Sequence, residues 1–574
     1  MTEAMKQYES WLSYPGLDKN IRDELEAIRE IPEEIEERFF TSMEFGTGGI
    51  RGILRAGTNG MNIYTVRQAT QGLANLIVKN GKEAMEKGVC IAYDSRHFSD
   101  VFAKESAGVL AANGVKVYIF PSLRPTPMLS FSIREMNATA GIVITASHNP
   151  AKYNGYKAYW SDGGQLPPEE ADVVYQEMKQ VDLFSDIQQI SFEEGLENGI
   201  IQWMPSSVDE AYYKAVMALS INPDALKGTD LRVVYTPFHG AGNIPVREVL
   251  GRMGLKHLTV VKEQELPDGA FPTVKSPNPE ESAGFQIALE YAKKEDADII
   301  IGTDPDSDRV GILLKTADGD YEILNGNQIG VLIVNYILEG LKKRNQLPEN
   351  GAVIKTIVTT NMIYEFKKDY PIEVINVYTG FKFIGEQIKL FEETKQHTYL
   401  FGFEESYGFL SGTHARDKDA VNACMLLCEA AAFYKKMGKT LKDVQIELYE
   451  RYGYYREGLV SITHEGMAGI EKIKGIMANL RANVPEEFAG VKTVLANDYS
   501  VAQTKNLFTG EVTALAFPPS NVLSYELEDG TLLSFRPSGT EPKIKAYIMT
   551  KGKTNAEALE NKDKYDKAIR ELLK

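Results

Sequence analysis

Three aspartates at alternate positions, Asp304, Asp306 and Asp308, stand in the run GTDPDSDRVG. In an extended loop, alternate side chains point the same way, so three carboxylates can converge on one hard cation. A calcium EF-hand begins with similar spacing. Its sixth position requires Gly and here holds Arg309, and its twelfth requires Glu and here holds Lys315. Three monodentate carboxylates leave positions open for a phosphate oxygen and water, which suits Mg²⁺. The plainer reading, a solvated acidic turn, leaves three crowded negative charges with nothing obvious to offset them.

Ser147 ends an apolar run in TASHNPAKYNGYK. A free hydroxyl is a poor nucleophile and needs a base or an electrophile beside it, for which His148 and Lys157 are the local candidates. A serine in an Asn-Pro turn is commonly only a turn former. The aspartate loop at the matching place of the next repeat tips the reading toward chemistry. RPSGTEPKIK, from Arg536 to Lys545, joins a guanidinium to Ser538, Gly539 and Thr540, a set able to grip a phosphate through the Arg fork, hydroxyls and backbone N–H groups. FEESYG offers Glu404 and Ser406 to accept from and donate to sugar hydroxyls, HARDKDA adds Arg416 and Lys418, and GTGGIRG places Arg51 on a Gly-rich turn. The GKT sequences at Gly438 and Gly552 lack the upstream Gly of a Walker A loop, and FHGAG at Phe238–Gly242 lacks the third Gly of a dinucleotide fingerprint.

The elements that must position these residues come in repeats. GVCIAYDS, FAKESAGVLAANG, VKVYIFPS, PMLSFSIREMN and TAGIVITAS read as βαβαβ. The pattern recurs from LRVVYTPFHG to DADIIIGTDPDSDRVGILL, and again from GAVIKTIVTT to HTYLFGFEESYGFL. It favours right-handed parallel crossovers with buried strands. In each copy the third strand runs into one of the unusual polar loops, where open α/β sheets bind ligands. Three domains merely in tandem, each with its own turn chemistry, is the alternative. Beyond about Tyr455 a helix-like segment and short alternating strands predict a smaller α+β domain. The expected domains are 1–207, with a helical N-terminal extension, then 208–324, 325–456 and 457–574.

The chain has 574 residues, 43% hydrophobic and 25% charged, enough for several cores. No apolar run reaches the ~20 residues of a membrane helix, and the charged N-terminal segment has no signal-peptide core. A net charge of −17 disfavours nucleic acid and anionic membranes as partners. A phosphorylated substrate would therefore require locally concentrated cations. Cys90, Cys424 and Cys428 are too few for a disulfide framework, and Cys424 and Cys428 read as core thiols in a helix, which fits the cytoplasm.

Taken in order, TASHNPAKYNG, DPDSDR, FEESYG and RPSGTEPK resemble the α-D-phosphohexomutase superfamily over nearly the whole chain, and its length resembles the longer phosphoglucomutase and phosphopentomutase group. The resemblance implies three similar α/β domains and a C-terminal α+β domain around a central cleft. It implies a phosphoserine at Ser147, which also faces the metal, one Mg²⁺ on the three aspartates, sugar contacts from Gly380, Glu404 and Ser406, and a distal-phosphate grip from Arg536, Ser538, Gly539 and Thr540. Arg51, Arg309, Lys157 and Lys418 match cationic positions of the family cleft. The sequence departs from the family at Phe403, where many members have Gly, and at Phe381, where some carry His; the acid/base is then left to Lys157, Lys418 or His148. The expected activity interconverts glucose 1-phosphate and glucose 6-phosphate through glucose 1,6-bisphosphate, which serves as intermediate and activator. Mannose or pentose phosphates are alternative substrates, a metal-dependent phosphatase is the rival class, and the expected state is a monomer or homodimer.

Overall fold

The computed structural model describes residues 2–46, 48–464, 466–538 and 543–574. The chain divides into two compact units, one formed by Met1–Lys355 with Ile375–Lys442 and the other by Thr356–Val374 with Asp443–Lys574.

In the larger unit the first sheet has six strands, ordered Gly49–Ile53, Tyr153–Trp160, Ala140–Ile144, Val89–Tyr93, Val117–Ile119 and Ile201–Trp203. Val89–Tyr93 pairs parallel with both Ala140–Ile144 and Val117–Ile119. The helices Ser99–Ala112 and Thr126–Glu135 supply the crossovers. Val89, Ile91, Ile142 and Ile144 are fully buried, as strands covered on both faces require. A second sheet of five strands repeats the plan with Arg232–Thr236, His257–Val260 and Ile299–Thr303 as its parallel members. In a third, Gly351–Thr356 pairs parallel with Thr398–Glu404.

The parallel pairing expected within the repeats is present, and the third strand of each copy is followed by a further strand. There the chain turns back as an antiparallel hairpin, through Tyr153–Trp160, Val310–Lys315 and Gly408–Ser411 respectively. An antiparallel return needs only a short connection, whereas a parallel one needs a crossover. The three polar loops are therefore tight hairpin loops at the ends of buried strands.

Residues ahead of the first sheet form three helices, Glu3–Ser13, Lys19–Ala27 and Pro32–Phe39. Thr2 and Asp18 cap the first two by accepting from backbone amides. Trp11 packs edge-on against Phe39, Tyr64 and Phe184 and so fastens this extension to the first domain. Cys424 and Cys428 are buried in the helix Ala420–Lys436, as expected.

The smaller unit carries an antiparallel sheet in which Tyr454–Thr463, Lys543–Gly552, Leu532–Pro537, Leu523–Leu527 and Val491–Asp498 lie in spatial order. The helices Gly466–Ala482 and Asn555–Leu572 accompany it, and Tyr525, Phe535 and Tyr565 are core residues. The segment NMIYEFKK of this unit forms a 3₁₀-helix, Asn361–Lys368, in place of the α-helix expected for a crossover.

Candidate active site

Ser147 follows the buried strand Ala140–Ile144. Its backbone N–H donates to the Thr145 hydroxyl at 2.8 Å, and it sits in the left-handed region at φ 51°. A non-glycine residue pays of order 1–3 kcal/mol for such a conformation, so the surroundings must enforce it. The returning strand approaches so closely that a Cβ on Gly155 would lie 2.5 Å from the Thr145 carbonyl oxygen, which accounts for the glycine of AKYNGYK.

The aspartate loop is a turn, not the extended segment expected. Ser307 takes φ 50°, its N–H donates to the Asp304 carbonyl at 2.9 Å, and Asp304 Oδ1 accepts from the amides of Asp308 and Arg309 at 3.1 and 2.9 Å. The three aspartates still converge: one oxygen from each lies within 4.8 Å of the others, and all three are at most 1% exposed. Among the described residues this is the one group of His, Cys, Asp or Glu side chains that could hold a metal ion. Asp306 Oδ1 and Asp308 Oδ1 are buried with no hydrogen-bond partner. An all-oxygen donor set with unsatisfied lone pairs fits a hard divalent cation.

The serine and aspartate hairpins meet directly. Ser147 Oγ donates to Asp304 Oδ2 at 2.7 Å and lies 3.2 Å from His148 Nδ1. Lys157 Nζ is 2.8 Å from Asp306 Oδ2 and 3.4 Å from Asp308 Oδ2, and Lys418 Nζ is 2.8 Å from Asp308 Oδ2. Burial holds the Asp304 carboxyl well above its usual range, with Asp306 and Asp308 pushing the same way. Burial also opposes ionisation of Asp306 and Asp308, but for Asp306 the Lys157 ammonium prevails and for Asp308 Lys418 and Lys157 do; both carboxyls lie below their usual range. The lysines are raised in turn: burial opposes their charge, and the aspartates outweigh it. His148 is pushed well below its ordinary value by burial and by the nearby charges of Arg309 and Arg51, which keeps its ring neutral. These local cations are what an acidic protein needs to receive a phosphate.

The third hairpin lies beside the second. Arg309 bridges to Gly408 and the Val310 N–H donates to the Tyr407 carbonyl at 3.3 Å. Glu404, 4% exposed, accepts from the Gly380 N–H at 2.7 Å; Ser406 is half-buried in the turn that follows. Phe381 opens the helix Phe381–Thr394 and is buried with Ile384 and Ile388, so this position serves the core.

Two expected placements change. Arg51 lies not on a turn but in the strand Gly49–Ile53, opposite Gly155. Arg416 turns away from the aspartates to pair with Glu392, and the cation from that segment is Lys418 alone. In the smaller unit Arg536 stands in the strand Leu532–Pro537 opposite Lys545, and the Ser538 N–H donates to the Lys543 carbonyl at 2.7 Å. Gly539 and Thr540 lie outside the described residues.

Sequence reasoning missed several partners. The Thr126 hydroxyl donates to Asp306 Oδ2 at 2.7 Å from 180 residues away, and no local pattern marks it. Asp417, fully buried, accepts from the Tyr159 hydroxyl at 2.7 Å and Gln165 Nε2 at 3.0 Å and so fixes the start of Lys418. Glu280 holds Arg309 at 2.7 Å. FHGAG proves to be a buttress, since the Ala241 N–H donates to the Pro305 carbonyl at 2.7 Å within the aspartate loop.

Comparison with known proteins places this geometry in a class. Family models of phosphoglucomutase/phosphomannomutase α/β/α domains I, II and III match residues 42–184, 210–319 and 325–452. A phosphoglucomutase of Staphylococcus saprophyticus is 37% identical over 506 residues, covering 88% of this chain and 90% of the relative. One from Staphylococcus aureus strain MRSA252 is 37% identical over 521 residues, covering 90% and 92%. The chain belongs to the phosphoglucomutase/phosphomannomutase family of the α-D-phosphohexomutase superfamily, enzymes that move a phosphoryl group within a sugar phosphate. Its fold is shared with the Paramecium phosphoglucomutase parafusin, at TM-score 0.67 and 18% identity with 93% and 96% of the chains covered. A Burkholderia thailandensis family protein has TM-score 0.63 at 18% identity, with 92% and 97% covered.

Proposed function

We propose that this protein is a phosphoglucomutase, interconverting α-D-glucose 1-phosphate and glucose 6-phosphate with Ser147 as the phosphoryl carrier. The observation that carries the reading is the 2.7 Å contact between Ser147 Oγ and Asp304 within a buried triple-aspartate cluster flanked by two lysines. The choice of glucose rests on the Staphylococcus relatives named phosphoglucomutase.

In the cycle, phosphoserine at 147 gives its phosphoryl group to the free hydroxyl of a glucose monophosphate, forming glucose 1,6-bisphosphate. After the bisphosphate turns around, Ser147 Oγ attacks the other phosphate and the isomeric monophosphate leaves. Asp304, Asp306 and Asp308 would hold Mg²⁺, which when bound neutralises charge developing on the transferring group. Lys157 and Lys418, tied by ion pairs to Asp306 and Asp308, act as fixed cations rather than proton acceptors. His148 Nδ1, 3.2 Å from Ser147 Oγ, carries the proton between serine and sugar: its neutral ring takes the proton of the attacking hydroxyl, sugar in the first transfer and Ser147 in the second, and gives it to the departing oxygen. Arg309 and Arg51 attract the phosphate, Gly380, Glu404 and Ser406 orient the sugar hydroxyls, and Arg536 with Ser538, Gly539 and Thr540 grips the phosphate that is not transferred. Four functional domains, 1–207, 208–324, 325–456 and 457–574, follow from this division of labour. Three buried free thiols support a reducing, cytoplasmic setting.

The test is ³¹P NMR of the purified protein with Mg²⁺, glucose 1-phosphate and a trace of glucose 1,6-bisphosphate. Glucose 6-phosphate is expected without matching release of inorganic phosphate; release of phosphate and free glucose would support the phosphatase instead.

A further inference from the structure

Arg96 occupies the loop after Val89–Tyr93, a strand whose end carries none of the family motifs. It is 3% exposed, and its guanidinium does not reach a carboxylate through a good hydrogen bond: the nearest approach is Nε to Asp94 Oδ2 at 3.4 Å, and Nε has no hydrogen-bond partner. Its four other N–H groups go to backbone oxygens of the serine hairpin. Nη2 donates to the carbonyls of Ser147, at 2.5 Å, and Asn149. Nη1 donates to those of Pro150 and Tyr153, each at 3.0 Å. The carbonyl omitted from this set, His148, accepts from the Ser276 hydroxyl at 2.7 Å. Every carbonyl from Ser147 to Pro150 is thus held by a side chain from outside the hairpin.

The second domain closes over this arrangement. Phe271 lies with its ring centroid 5.0 Å from the Arg96 guanidinium carbon. The loop bearing it is tied to His239, whose ring nitrogens lie 3.0 Å from the Leu266 carbonyl and from the Thr273 hydroxyl. A Cβ on neighbouring Gly269 would fall 2.4 Å from the His97 nitrogen, so the two loops are in closest contact. On the other side, Asp94 Oδ1 accepts from the Arg96 N–H at 2.9 Å and the Ser99 hydroxyl at 2.8 Å.

We infer that Arg96 is a positioning residue for phosphoryl transfer, a buried clamp that enforces the left-handed conformation of Ser147 and aims its Oγ, with Ser276 and Phe271 completing the clamp. The inference rests on Ser147 as the phosphoryl carrier. A planar fork reaches four carbonyls at once, which an ammonium cannot. One of those carbonyls belongs to Ser147, whose oxygen must lie in line with the transferring phosphorus, and the other three follow it in the same hairpin; an ångström of misplacement there costs about 10²-fold in rate.

The experiment loads the protein from ³²P-labelled glucose 1,6-bisphosphate, maps the label, and follows its single-turnover transfer to glucose 1-phosphate. Arg96→Ala is expected to transfer about 100-fold more slowly, with affinity of the unphosphorylated protein for glucose 1-phosphate, by calorimetry, changed by less than about threefold. Guanidinium at about 50 mM is expected to restore at least about tenfold of that rate, whereas Arg96→Lys stays slow with or without it. Ser276→Ala and Phe271→Leu, which leave Arg96 in place, are each expected to slow transfer by about tenfold with unchanged affinity. Transfer by Arg96→Ala within threefold of the unaltered protein overturns the clamp, as does parallel loss of transfer and affinity with no guanidinium rescue. Should Arg96→Ala fail to fold, unaltered transfer rates in Ser276→Ala and Phe271→Leu overturn it. Label on the unaltered protein at a residue other than Ser147 overturns both the clamp and the carrier assignment; label on Ser147 with fast transfer in the variants overturns the clamp alone.

Discussion

The serine hairpin and the aspartate hairpin are built on the same plan and held by different kinds of donor. Each follows a buried parallel strand, each turns back antiparallel, and each has a serine in the left-handed region, Ser147 at φ 51° and Ser307 at φ 50°. In the aspartate hairpin Asp304 Oδ1 collects the amides of Asp308 and Arg309, the chain closes on the Asp304 carbonyl, and the Pro305, Asp306 and Ser307 carbonyls accept from the backbone N–H groups of Ala241, Thr126 and Ala420. Its problem is charge, and lysines from two other segments answer it. The serine hairpin carries little charge and depends on outside donors for its carbonyls. Arg96 and Ser276 supply them. Side chains from other segments hold the carbonyls of the serine hairpin, whereas backbone amides from other segments hold those of the aspartate hairpin and leave its carboxylates to the lysines.

The largest effect expected is on the serine side. Ser147→Ala should cut mutase turnover by on the order of 10⁴-fold or more, because the covalent carrier is gone, with the melting temperature close to that of the unaltered protein. Coupled assay and calorimetry on the same preparation check this, and more than trace turnover would break the assignment.

On the aspartate side, chelation of Mg²⁺ should stop transfer and added Mg²⁺ should restore it. Asp306→Asn should weaken Mg²⁺ binding, since it replaces a carboxylate whose Oδ1 is unsatisfied. Titration calorimetry reads the affinity. Full activity in metal-free buffer would make this hairpin purely structural.

Arg536→Ala lies outside both hairpins and should cost about 2–4 kcal/mol in kcat/KM, equally in the forward and reverse directions, as one anchor serves both orientations of the bisphosphate. An unchanged value in either direction would remove RPSGTEPK from the site. The smallest effect on chemistry per se, and a distinct one on stability, belongs to Lys157→Met. Without metal it strands the charge of buried Asp306 and should destabilise the fold by about 3–5 kcal/mol, a loss that Mg²⁺ should partly offset. Thermal unfolding with and without Mg²⁺ measures both.

Much of the site is legible in the sequence because the reactive residues sit in local runs. TASHNP, DPDSDR and FEESYG each end a strand that periodicity marks, so the sequence alone points to Ser147, the aspartates and Glu404. The turn geometry of DPDSDR is not legible, because nothing in the run announces that Ser307 adopts a positive φ. Antiparallel return strands escape for a different reason: VGILLK and YNGYKAYW are mostly buried, as their parallel neighbours are, so an apolar run does not reveal strand direction. The partners that hold the loops are illegible because they are remote, Thr126 to Asp306 and Ser276 to His148. Arg96 is a nearer miss. YDSRH is a polar loop at the end of a buried strand, but that strand is the first of its repeat, whereas the motif-bearing loops all follow the third.

The most direct test of the central claim is peptide mapping by mass spectrometry after incubation with glucose 1,6-bisphosphate, then with glucose 1-phosphate. One phosphoryl group is expected on the peptide containing Ser147, discharged on the second addition into glucose 1,6-bisphosphate. A phosphoryl group on any other residue, or its discharge into inorganic phosphate, would contradict Ser147 as the carrier of a mutase cycle.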